Sequence, residues 1–114
     1  MVENISVKDA LRLALNGKGK LLDIRNEKAY RKGHLPTAIR AEEEDILDFF
    51  QKYPNQKIIL YCDFGNQSLM AARRLDQEGY EAYSIVGGYR AYEGYVEKKK
   101  DEMWTMEWKK RGHF

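Results

Sequence analysis

The 114-residue sequence contains a single cysteine, Cys62. That excludes an internal disulfide, a Cys-x-x-Cys redox pair and a cysteine-built zinc site. Two histidines, His34 and His113, are too few and too isolated for metal ligation, and no metal or cofactor is expected. No apolar run approaches the roughly 18 residues that a membrane span requires. The N-terminal stretch MVENISVKDALRLALNG lacks the basic start, apolar block and small-residue cleavage site of a secretory leader. A cytoplasmic protein with no membrane partner is therefore expected. Charge of one sign is missing too: 20 Lys and Arg against 18 Asp and Glu, scattered along the chain, leave a net charge of +2. No basic stripe with interleaved aromatics is present, which argues against a nucleic-acid partner. Neither an internal repeat nor a low-complexity linker is found.

What is there suits one domain with a packed interior: 43% of the residues are hydrophobic and 33% charged. SVKDALRLALNG opens with Ser6 and Asp9 in a capping-box-like spacing and predicts a helix with Leu11, Leu13, Ala14 and Leu15 on its apolar side, ended by Gly17. KLLDI (20–24) predicts a buried strand, NEKAYRKG a short helix ended by Gly33, and TAIRA (37–41) a small strand. EDILDFFQKY (44–53) predicts a helix with Ile46, Leu47, Phe49 and Phe50 inward, stopped by Pro54. KIILYC (57–62) is a continuous aliphatic run, as in a central parallel strand. SLMAARRLDQEG (68–79) predicts a helix, EAYSIV (81–86) a strand, and Gly87-Gly88 a turn into a last helix. Alternating strands and helices imply an α/β fold: a central parallel β-sheet flanked by helices on both faces.

Cys62 falls where the central strand gives way to a short loop and a helix. Ligands of parallel sheets bind outside the carboxyl ends of strands. A loop that curls round the sulfur would aim the N–H groups of Asp63, Phe64, Gly65, Asn66, Gln67 and Ser68 at it. The helix that follows adds its own unpaired N–H groups and positive dipole end. Both favour a thiolate, the nucleophilic form of cysteine. Gly65 permits a tight turn, and Ser68 is a natural N-cap. Without these features Cys62 would be read as a space-filling core residue.

CDFGNQS resembles the active-site loop of the rhodanese family, Cys-x-x-Gly-x-Arg/Gln-Ser. LLDIRNEKAYRKGHLPTA resembles that family's Asp-Val-Arg, Glu-Tyr and Gly-His-Ile-x-Gly-Ala signature, and VGGYRAYEGY its Gly-Gly-x-x-x-Trp segment. The three stand in order and spacing over residues 5 to about 98. The resemblance implies a rhodanese-like fold and sulfurtransferase activity. Cys62 would take a sulfane sulfur from thiosulfate, a polysulfide or a protein persulfide and pass it to cyanide, thioredoxin, glutathione or a protein thiol, with no metal or cofactor. A phosphatase or arsenate reductase on the same fold would need a longer loop ending in Arg. A carrier or regulatory module with little turnover is the alternative reading.

Cys62 is thus the candidate catalytic residue, with Asp63, Phe64, Gly65, Asn66, Gln67, Ser68 and Arg25 as candidate substrate-binding residues. Several positions depart from the family pattern. Gln67 stands where many members carry Arg, Asp63 brings a negative charge next to the sulfur, and Phe64 makes the rim apolar. Ala29 replaces the Glu that would pair with Arg25, with Glu27 as the substitute partner. Thr37 replaces a Gly and Tyr92 a Trp. His34 is expected to belong to a structural turn, and Asp23 and Arg25 to brace neighbouring loops.

Residues 1–99 are assigned to the rhodanese-like domain and 100–114 to a Trp-containing extension. That extension is expected to be helical and packed back on the domain. Its alternative role is a docking surface for a partner or, in a homodimer, a second copy.

Overall fold

The computed structural model describes residues 3–112, so His113 and Phe114 lie outside the described residues. Five strands, β1 (Glu3–Ile5), β2 (Gly19–Asp23), β3 (Ile39–Arg40), β4 (Lys57–Tyr61) and β5 (Ala82–Ile85), form one parallel sheet in the order β1-β5-β4-β2-β3. Helices α1 (Val7–Leu15) and α5 (Gly88–Lys110) cover one face, and α3 (Ile46–Lys52) and α4 (Asn66–Gln77) cover the other. A short α2 (Glu27–Lys32) follows β2, and a 3₁₀ turn (Glu43–Asp45) leads into α3. The expected α/β class is the observed one.

β4 is central because both its faces are apolar. Ile59 and Tyr61 enter the core under α1 and α5, whereas Ile58 and Leu60 enter the core under α3 and α4. Alternation of side chains along a strand thus fills two cores from one segment. Strand β1 has no counterpart in the sequence reading. It is a three-residue edge strand paired with β5, too short to leave a periodic signal. α1 starts where expected, with Ser6 Oγ accepting from the Asp9 amide. It buries Val7, Ala10, Leu11 and Ala14 and leaves Leu15 exposed. Leu47, expected inside, is also exposed, because α3 lies with Ile46 against the core and turns its neighbour outward.

The C-terminal extension departs most from expectation. α5 runs without a break from Gly88 through Lys110, across the assigned boundary at residue 99. Residues 97–112 are exposed throughout, so the tail is not packed back on the domain. Nothing interrupts the helix after Gly94, and a continuous helix cannot fold back on itself. Its far half projects from a molecule measuring 57 × 28 × 22 Å. Among the described residues no helix is long and apolar enough to cross a membrane.

Candidate active site

The loop after β4 turns within Asp63, Phe64 and Gly65, and α4 begins at Asn66. The helix therefore starts earlier than the expected residue 68. Its cap is Gly65 in the left-handed conformation (φ +102°), where a Cβ would also crowd the Gly87 amide. Ser68 is thus a first-turn residue and not the cap. A cap side chain would occupy the first-turn amides that here turn to sulfur.

Cys62 is 2% exposed. Its Sγ accepts from the Gly65 amide at 3.1 Å and the Ser68 amide at 3.4 Å, and the thiol donates to Ser68 Oγ at 3.5 Å. Ser68, fully buried, donates to the Gly65 carbonyl at 3.2 Å and pairs with Ser84 Oγ at 2.8 Å. Two amides and the positive end of a twelve-residue helix thus converge on one sulfur, and the Ser68 hydroxyl accepts from its thiol. The first turn of α4 holds no acidic side chain.

The rear of the loop is held by α5. Gly87 and Gly88 both adopt left-handed backbone, at φ +76° and +61°. The first amides of α5 then donate to the loop, Tyr89 to the Cys62 carbonyl at 2.8 Å and Arg90 to the Asp63 carbonyl at 3.0 Å. One helix end therefore faces the sulfur and another faces the carbonyls behind it.

Arg25 braces the flank. Its guanidinium grips the buried Asp23 carboxylate, with contacts of 2.7 to 3.1 Å, donates to the Gly33 carbonyl at 2.6 Å, and lies 4.0 Å over the Tyr89 ring. Asp63 Oδ1 is 3.7 Å from the same group. Burial disfavours the charge of Arg25, but the hydrogen bonds and charge of Asp23, aided by Tyr61 and Asp63, outweigh it and raise the pKa above its ordinary value. Glu27 is not the substitute partner that the sequence suggested. It pairs with Arg31 one turn along α2, because Asp23 is two residues from Arg25 and already inside. Next to this pair the buried Tyr61 hydroxyl accepts from the Leu35 amide at 3.1 Å, and burial, reinforced by Asp23, pushes the phenol well above its usual pKa.

The predicted site residues divide sharply. Cys62, Gly65 and Ser68 meet at the sulfur, and Arg25 braces the loop from the side. Asp63, Phe64, Asn66 and Gln67 all point outward, with Asp63 61% and Phe64 67% exposed. Gln67 lines a shallow surface hollow with Ile24, Glu42, Glu43, Met70 and Arg74. His34 stacks on Tyr30 at 3.9 Å and bonds its carbonyl at 2.8 Å, a local turn contact. Sequence reasoning placed the Gly87-Gly88 turn into α5 but missed Ser84 and the clamp that the Tyr89 and Arg90 amides make on the loop. A serine inside the otherwise apolar strand AYSIV was the signal for Ser84; the clamp, made by backbone amides, had none. Among the described residues no cluster of His, Cys, Asp or Glu could hold a metal.

The protein-family model described as Rhodanese-like domain matches residues 6–95. Among solved structures, a rhodanese homologue from the extremely thermophilic bacterium Thermus thermophilus is 30% identical, with a TM-score of 0.57, covering 78% of this chain and 99% of that one. The reduced CoADR-RHD protein of Bacillus anthracis is 26% identical, with a TM-score of 0.68. It covers 80% of this chain, which spans only 16% of that protein. A human single-domain sulfurtransferase, 20% identical, shares the fold with a TM-score of 0.63 over 78% of this chain and 93% of that one. With the family model spanning most of its length and a cysteine loop at the end of its central strand, the chain belongs to the rhodanese-like domain family.

Proposed function

We propose that the protein is a sulfurtransferase that carries a sulfane sulfur on Cys62. The observation that supports this most directly is the pair of backbone amides, from Gly65 and Ser68, donating to a sulfur at the mouth of a parallel sheet. The Cys62 thiolate attacks the outer sulfur of thiosulfate or a polysulfide. The donor's S–S bond breaks, sulfite or the shortened polysulfide leaves with the electron pair, and Cys62 becomes a persulfide. An acceptor thiolate or cyanide then attacks the terminal sulfur, and Cys62 departs as the thiolate. With no second cysteine in the chain, release depends on an outside acceptor such as thioredoxin, glutathione or a protein thiol.

Asp63 and the outward-facing Gln67 supply no cation for an anionic donor at the rim. This favours a donor with less negative charge than thiosulfate, such as a protein persulfide. A second reading, a sulfur carrier or binding module with little turnover, draws support from the exposed far half of α5. Intact-protein mass spectrometry before and after each donor separates the two. Addition of one sulfur, reversed by cyanide and absent from Cys62→Ser, supports the transferase. A thiol that alkylates but takes sulfur from no donor rejects it.

A further inference from the structure

On the far half of α5, Glu97, Asp101, Trp104, Trp108 and Arg111 recur at alternating steps of four and three residues. At about 100° per residue these five lie within roughly 80° of one another. This is the seam spacing of paired helices. Trp104 is 65% and Trp108 45% exposed, and their rings lie 6.1 Å apart. The seam looks away from its own domain. Tyr89, Tyr92 and Tyr95 pack on the core, and Trp104 lies nine residues, two and a half turns, beyond Tyr95. Arg90, Glu93, Gly94 and Glu97 are exposed on the same outer side. Met103 and Met106, also exposed, lie on the other side of the helix and take no part.

We propose that this seam binds a second copy of the chain, helix against antiparallel helix. Charge and shape select the occupant. Asp101 and Arg111 are centred on residue 106, and so are Trp104 and Trp108. A two-fold axis there sets each Asp101 against the partner's Arg111 and each Trp104 against the partner's Trp108. Slipping the pair by a heptad would put Asp101 against Trp104 and Glu97 against Trp108. A parallel pair would set Asp101 against Asp101 and Arg111 against Arg111. Neither alternative satisfies the charges.

Residue 100 of one copy faces residue 112 of the other. Val96 is the last residue of α5 that is partly buried, so each domain sits beyond the overlap and the two do not collide. With Trp104 65% and Trp108 45% exposed, four indoles of roughly 150–250 Å² each can bury about 330–550 Å². Even with the charged ends this stays below the roughly 1,200 Å² of standard interfaces, the size of a weak, reversible association. The dimer is accordingly concentration-dependent. It requires nothing of the sulfur chemistry.

Sedimentation equilibrium of the full chain tests this. The expected result is a reversible approach to twice the 13.4 kDa chain mass. Trp104→Ala should raise the dimer dissociation constant roughly thirtyfold or more, as for a central interface aromatic. Asp101→Arg or Arg111→Asp alone should weaken association, and the double exchange should restore it. Far-UV circular dichroism confirms that each variant is folded. Monomers at all concentrations overturn the proposal, and so does a dimer indifferent to the charge exchanges. A chain that stays monomeric yet binds anionic vesicles overturns it too and assigns the face to lipid.

Discussion

Gly88 lies directly behind Cys62, so close to the carbonyl oxygens of Cys62 and Asp63 that a Cβ at residue 88 would collide with both. Its left-handed backbone lets α5 begin there and direct its first amides at the cysteine loop. Gly88→Ala should therefore cost about 1–2 kcal/mol for the left-handed residue and roughly 1–3 kcal/mol for the crowding. Urea unfolding checks this as a lowered midpoint with an unchanged slope. Gly94 is the contrast: it lies in the same helix with open space around it. Gly94→Ala should stabilise by about 0.5–1 kcal/mol through helix propensity. Equal effects at the two positions would refute the clamp.

Asp63 stands beside the sulfur and is largely exposed, with Arg25 3.7 Å away. On the sulfurtransferase reading, its charge repels an approaching anion. Asp63→Asn should speed loading of Cys62 by thiosulfate about three- to tenfold, the size of a partly screened charge a few ångströms away. The gain should shrink as salt is added, and loading by an uncharged donor should not change. Stopped-flow loading rates at two ionic strengths test this. A gain independent of salt would point to loop geometry instead of charge.

Thr37 is the only non-glycine residue with positive φ among the described residues, at +70°. It occupies the place where the family pattern has glycine. Relief of about 1–2 kcal/mol of backbone strain, less the roughly 0.4–1 kcal/mol by which glycine favours the unfolded chain, gives a net gain. Thr37→Gly should raise stability by about 0.5–1 kcal/mol. Thermal unfolding reads it as a higher midpoint; a lower one would show that the threonine is not strained.

Tyr61 ties stability to alkaline pH. In the unfolded chain a tyrosine ionises near pH 10, whereas burial keeps the folded phenol protonated well beyond that. Above about pH 10 the unfolded state therefore holds fewer protons, and stability falls by up to about 1.4 kcal/mol per pH unit from this one group. Below pH 10 the contribution is fully present. Tyr61→Phe should lower stability at neutral pH, because the Leu35 amide loses its acceptor, and should flatten the alkaline decline. Parallel slopes for the two proteins above pH 10 would contradict this.

The sequence shows the parallel sheet and the cysteine loop because both rest on strong local patterns. KIILYC carries no polar residue inward after the exposed Lys57, and Gly65, three residues past Cys62, lets the chain turn. Strand β1 was illegible because three residues paired at a sheet edge carry no period. The partner of Arg25 was misread because Asp23, two residues away, reads as a strand end until the fold shows that its carboxylate turns inward. Trp104 and Trp108 correctly marked a shared helix side. Whether that side is covered depends on where α5 leaves the domain, which no local pattern records.

Within the cysteine loop, the residues that meet the sulfur do so mainly through backbone amides, and Asp63, Phe64, Asn66 and Gln67 all face outward. What holds the sulfur and what greets an incoming molecule are consequently written at different positions. Those four sites can drift in charge and size without disturbing the shape beneath them, so relatives with one common scaffold are free to diverge in what they let approach.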